Sequence, residues 1–101
     1  MLAIKKDNFE IEVEKSEQLV VIDFWAEWCG PCRMLAPVMD ELEQDFPAVK
    51  FCKVNVDEEP ELARQFQIMS IPALFVIRDG DVTDKVVGYR PKDALLEMLE
   101  G

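Results

Sequence analysis

Apolar positions fall along the chain in short blocks, and each change of period marks an element. Residues 2–5 (Leu2-Ala3-Ile4-Lys5) predict a short, edge-type strand. Phe9 and Val13 form the apolar side of a helix over about 8–16, and Asp7 followed by Glu10 at its start matches a capping box. Residues 19–26 are nearly continuous in apolar side chains, the mark of a central strand covered on both faces. Leu35, Val38, Met39, Leu42 and Phe46 recur at helical spacing, so 29–46 is the longest helix. Pro31 falls in its first turn, where a missing N–H does no harm. Pro37 predicts a kink inside it, and Pro47 ends it.

The second half follows the same rules. Residues 49–56 alternate well enough for a second buried strand, and 59–66 form a short helix with Pro60 in its first turn. Residues 73–77 are a third strong strand. Asp79-Gly80 signals a hairpin, so 81–87 returns antiparallel until Gly88 breaks it. Pro91 opens a last helix with Leu95, Met98 and Leu99 facing inward. The first half must run parallel through crossover helices and the second ends in a hairpin. The fold class is therefore α/β, with one mixed sheet carrying helices on both faces. No repeat or linker divides the chain, so residues 1–101 read as one domain.

Composition narrows the function. The chain has 101 residues, half of them hydrophobic, enough for a single core without staples. Eleven Lys and Arg against 21 Asp and Glu leave a net charge of −10, which repels phosphate and excludes nucleic acid and anionic membranes as partners. The longest apolar run, 71–77, is too short to span a bilayer. No basic region followed by an apolar one opens the chain, so the expected compartment is the cytoplasm. There is no histidine, which removes Cys–His and Ser–His catalysis and His-ligated zinc. Three cysteines are too few and odd in number for a secreted disulfide framework.

The chemistry gathers at Trp28-Cys29-Gly30-Pro31-Cys32, between the strongest strand and the longest helix. At a helix start, unpaired N–H groups and the helix dipole stabilise a thiolate, the attacking species in disulfide exchange. Cys29 is thus the candidate nucleophile. Cys32, one turn on and with its sulfur expected deeper, is the candidate resolving thiol. Metal binding is the rival reading, but zinc lacks further ligands unless carboxylates or a second chain supply them. Gly30 leaves room for a partner chain beside the sulfur, and Pro31 stiffens the turn. Trp28 is either core or a contact surface shielding the thiols.

Asp23 is the anomaly of the chain, a carboxylate inside Val20-Val21-Ile22-Asp23-Phe24-Trp25. Burial raises its pKa, and it can then take the proton of Cys32, unless it reaches solvent at a sheet edge. Lys53 is either its charge partner or a side chain snorkelling to solvent. A proline such as Pro72 before a buried strand is trans or, in a tight turn, cis; residue statistics alone favour trans. Cys52 reads as a small buried hydrophobe. Met34, Met39, Met69 and Met98 read as core or rim, and Asp57-Glu58-Glu59 as a solvated helix start.

Taken together, Asp23-Phe24-Trp25-Ala26-Glu27-Trp28-Cys29-Gly30-Pro31-Cys32, Pro37, Lys53-Val54-Asn55-Val56-Asp57, Ile71-Pro72, Gly80 and Gly88 resemble the thioredoxin family over nearly the whole chain. The Cys-x-x-Cys motif is itself a standard marker of that family. The resemblance implies a thioredoxin fold, a central mixed β-sheet flanked by four helices. It implies a cis Pro72 facing the cysteines, Cys29 as nucleophile, Cys32 as resolving thiol, and Asp23 with Lys53 tuning proton transfer. It also implies a client surface of Trp28, Gly30, Pro31, Val56, Ile71, Pro72 and Gly88. The expected partners are client proteins with disulfides and an NADPH- or ferredoxin-linked thioredoxin reductase. The expected protein is a monomer without a cofactor or metal. Gly-Pro between the cysteines resembles the reducing members. Met69-Ser70, Tyr89-Arg90 and a short last helix depart from the family pattern and bear on client or reductase preference.

Overall fold

In the computed structural model, which describes residues 1–100, the centre is strand β2 (Val20–Trp25), flanked on both sides by other strands. It pairs in parallel with β3 (Lys50–Asn55) and antiparallel with β4 (Ala73–Arg78). The outer strands are β1 (Leu2–Ala3), parallel to β3, and β5 (Asp81–Val87), antiparallel to β4. The sheet order is β1-β3-β2-β4-β5. The expected mixed sheet, parallel in its first half and closed by a hairpin, is what forms, with most element ends moved inward by one or two residues.

Four helices cover it: α1 (Glu10–Glu14), α2 (Gly30–Asp45), α3 (Pro60–Gln65) and α4 (Lys92–Glu100). Alternation along β2 assigns its side chains to two layers. Val20, Ile22 and Phe24 pack with Phe9, Val13 and Leu62 under α1 and α3. Val21 faces the other way, into Leu35, Met39, Leu42, Leu95 and Leu99 of α2 and α4. Asp23 and Trp25 share the parity of Val21, so the carboxylate points to the face that α2 covers.

Local chemistry explains the ends. Asp79 (φ 51°) and Gly80 (φ 84°) both take left-handed backbone, which joins Arg78 to its register partner Asp81 by a two-residue turn of matching twist. Helix α2 passes through Pro37 and stops at Asp45, with Phe46 as its C-cap ahead of Pro47. Helix α1 departs from expectation. It is π-wound, with the N–H of Lys15 bonding to the carbonyl of Glu10 at 2.9 Å, and shorter than 8–16. Its cap position is Phe9, and no side chain caps it. The Asp7–Glu10 box does not form; the side-chain bond at this end is that of Asn8, whose Oδ1 accepts the N–H of Lys5 at 2.7 Å and closes the preceding turn.

Candidate active site

Strand β2 and the turn 26–29 deliver Cys29 to the start of α2. Cys29 is the N-cap rather than the first helical residue, with extended backbone (φ −87°, ψ 109°). Its Sγ accepts the N–H of Cys32 at 3.2 Å. The sulfur therefore stands where first-turn N–H groups converge at the positive end of a 16-residue helix. A thiolate at this position gains more from that hydrogen bond and from the dipole than a neutral thiol does. Cys29 and Cys32 are joined as a disulfide, their Cα atoms 5.2 Å apart, so the pair is in its oxidised form.

Exposure does not separate the two cysteines as expected: each is 4% exposed. Their surroundings do. Sγ of Cys29 lies 3.8 Å from the carbonyl oxygen of Ile71, and a Cβ added at neighbouring Gly30 would meet nothing within 4 Å. Cys32 instead lines a cavity of about 260 Å³ shared with Asp23, Trp25, Asp40 and Lys53. Cys29 thus has open space beside it at Gly30, and Cys32 lines a cavity that also holds a carboxylate.

Asp23 is only 6% exposed, in the middle of a central strand and not at a sheet edge. Burial pushes its carboxyl up to about 7, with the charge of Lys53 pulling the other way. Among the described residues its Oδ1 has no hydrogen-bond partner, and neither does the indole nitrogen of Trp25. Lys53 stands opposite Asp23 in the β2–β3 register. Among the described residues no ion pair joins them; the ammonium lies 5.5 Å over the Trp25 ring instead. Lys53 thus acts on the carboxylate through space, as a charge partner without a direct ion pair.

The client-facing candidates gather around Cys29. Trp28 is 67% exposed, which removes the core reading. The Ile71–Pro72 peptide is cis, against the residue statistics and in line with the resemblance, and Pro72 is buried. The carbonyl of Pro72 accepts the N–H of Gly88 at 2.7 Å, and Gly88 has φ 92°, where a side chain would be strained. Val56 and Ile71 pack against Ala26, Cys29 and Cys32, while Pro31 is exposed in the first turn of α2. Met34 and Met69 are exposed; Met39 and Met98 are core.

Asp57 is the residue that sequence reasoning passed over as a solvated helix start. Its Oδ2 accepts the indole N–H of Trp28 at 2.8 Å. Asn55 holds it in place, its Oδ1 accepting the N–H groups of Asp57 at 2.9 Å and Glu58 at 3.3 Å. The available signal was Asn55 at a strand end, two residues before an acid, the pattern of an Asx turn. Among the described residues no group of three or more Cys, Asp or Glu is arranged to hold a metal ion.

Comparison with known proteins agrees with this geometry. The family model described as Thioredoxin matches residues 1–101. The chain is similar to a thioredoxin of Bacillus subtilis, 45% identical over 98% of this chain and 96% of the relative. It is 51% identical to a thioredoxin of Listeria monocytogenes over 87% of this chain and 86% of that one. It is 49% identical to a thioredoxin of Staphylococcus aureus over 92% of this chain and 88% of that one. A Cys-x-x-Cys disulfide capping a helix, on a mixed sheet with this match along its length, makes the chain a thiol–disulfide oxidoreductase belonging to the thioredoxin family.

Proposed function

We propose that the chain reduces disulfides of client proteins, with Cys29 as nucleophile and Cys32 as resolving thiol. The thiolate of Cys29 attacks one sulfur of the client disulfide. That S–S bond breaks, a Cys29–client bond forms, and the client's other sulfur leaves as a thiolate that takes up a proton. Cys32 then passes its proton to Asp23 and attacks Sγ of Cys29. The mixed disulfide breaks, the second client thiolate leaves, and the Cys29–Cys32 disulfide closes. Two electrons have moved from the protein to the client. Lys53 limits the rise in the pKa of Asp23, keeping it near 7, where it can both accept and release a proton.

The single observation that carries this reading is the N-cap position of Cys29, with its sulfur on the Cys32 N–H. The client chain lies across Trp28, Gly30, Pro31, Val56, Ile71, Pro72 and Gly88. Residues 1–101 act as one domain and as a monomer in the cytoplasm, without a bound cofactor. A thioredoxin reductase, NADPH- or ferredoxin-linked, restores the dithiol. No helix among the described residues is long and apolar enough to cross a membrane. The test is Cys32→Ser mixed with insulin. A covalent adduct through Cys29, released by dithiothreitol, is expected; with no adduct to any disulfide protein, the resolving role of Cys32 is lost.

A further inference from the structure

Two depressions adjoin the Ile71–Pro72 turn, and the segment Ile68-Met69-Ser70 lines both. The first, of about 420 Å³, is neutral and mostly apolar, lined by Trp28, Val56, Ala63 and Ile71. The second, of about 120 Å³, lies on the other side of the segment and is closed by Ala73, Val87 and Lys85. Ala73 and Val87 are register partners and follow and precede Pro72 and Gly88, so the second depression continues directly from the client-facing turn. Met69, 95% exposed, forms the ridge between them. Its unbranched thioether can adapt to whatever crosses it.

Lys85 is unusual in so acidic a chain. Among the described residues its ammonium makes no ion pair and rests 5.6 Å over the ring of Phe75. Neighbouring Asp84 precedes it on the opposite face of β5, and its carboxylate accepts the backbone N–H of Lys85. The second depression therefore carries a cation without a carboxylate to neutralise it. At physiological salt, charges beyond about 8 Å are screened, so a group docked here feels Lys85 more than the net charge of −10.

We propose that Lys85 selects clients: an acidic side chain on the client strand, beyond the apolar contacts with the first depression, meets its ammonium in the second. The proposal rests on the client-docking surface given above. It runs against the charge of the whole protein, which by itself favours basic clients.

The test uses the full chain and peptides with one intrachain disulfide, an apolar residue beside the attacked cysteine, and glutamate, glutamine or lysine scanned across the flanking positions. Steady-state reduction is followed at 0.15 M salt. At one flanking position the wild type should favour glutamate over lysine by about three-fold, through KM rather than kcat. Lys85→Gln should abolish that preference, and Lys85→Glu should invert it. A glutamate-to-lysine ratio that is the same in wild type and Lys85→Glu at every position overturns the selection. So does a wild type that disfavours glutamate everywhere. Reduction of the glutamine peptide by the wild type reports separately on the exchange reaction. If that peptide is reduced while the ratio fails, only the selection falls; if it is not reduced, both readings fall.

Discussion

The indole N–H of Trp28 is held by Oδ2 of Asp57 at 2.8 Å, across 29 positions of sequence. This bond fixes a large, 67% exposed ring beside the reactive disulfide. An unheld ring would have to be ordered by each client as it docks, and that ordering opposes binding. Asp57→Ala should therefore lower kcat/KM for insulin reduction by about three-fold, with little change in melting temperature. Asp57→Asn keeps an acceptor and should lose much less. Equal losses in the two variants would show that charge, not the hydrogen bond, is what matters.

Asp23 links proton transfer to stability. Unfolded, its carboxyl ionises near the ordinary 3.8; folded, burial holds it at about 7. Between those values the native state keeps a proton that the unfolded state has lost. Stability then falls as pH rises through this window, and the loss is complete above the folded value. Asp23→Asn should be more stable than wild type at pH 8, by up to roughly 4 kcal/mol, and gain little at pH 4. Urea unfolding at the two pH values measures this. The same variant should lose the inflection near 7 in the rate of mixed-disulfide resolution; an unchanged profile removes Asp23 from that step.

Cys52 is fully buried in β3, and burial pushes its thiol up to about 12. The native protein should leave it a neutral thiol, inert to alkylation at pH 8. After reduction, iodoacetamide should label Cys29 rapidly and Cys52 only once the chain is unfolded. Mass spectrometry of the labelled peptides decides this, and fast native labelling of Cys52 would contradict its burial.

Gly80 carries the hairpin and touches α1. Its φ is 84°, and a Cβ there would stand 3.0 Å from the carbonyl oxygen of Glu14, a backbone atom that cannot swing away. Gly80→Ala should destabilise the protein by about 1–3 kcal/mol, seen as a lower urea midpoint with an unchanged slope. Exchange activity below the transition should persist, because the turn lies outside the groups gathered around Cys29.

Much of the architecture was legible because it rests on local signals. The nearly continuous apolar run around Ile22, broken only by Asp23, marked a strand covered on both sides. Pro31 and Pro47 bracketed α2, and Asp79-Gly80 could only be a tight turn. The capping-box reading of Asp7 and Glu10 failed: the local side-chain bond that forms there is that of Asn8, which accepts the N–H of Lys5. The cis form of Ile71–Pro72 was not legible from the residues alone, since trans is the commoner form of any such bond.

The sequence alone determined the order of elements, the mixed sheet, and the seating of two thiols one turn apart at a helix start. Those features depend on periodicity, proline and glycine, which act within a few residues. Only the tertiary structure decided who stands beside whom. It set Asp23 under α2 in a cavity with Cys32, Lys53 over Trp25 instead of against the carboxylate, and Asp57 on the Trp28 ring. It also placed Lys85 over the Phe75 ring, on the same depression as Met69 and, among the described residues, without an ion pair. These contacts join residues far apart along the chain, and the packing that makes them has no period to read.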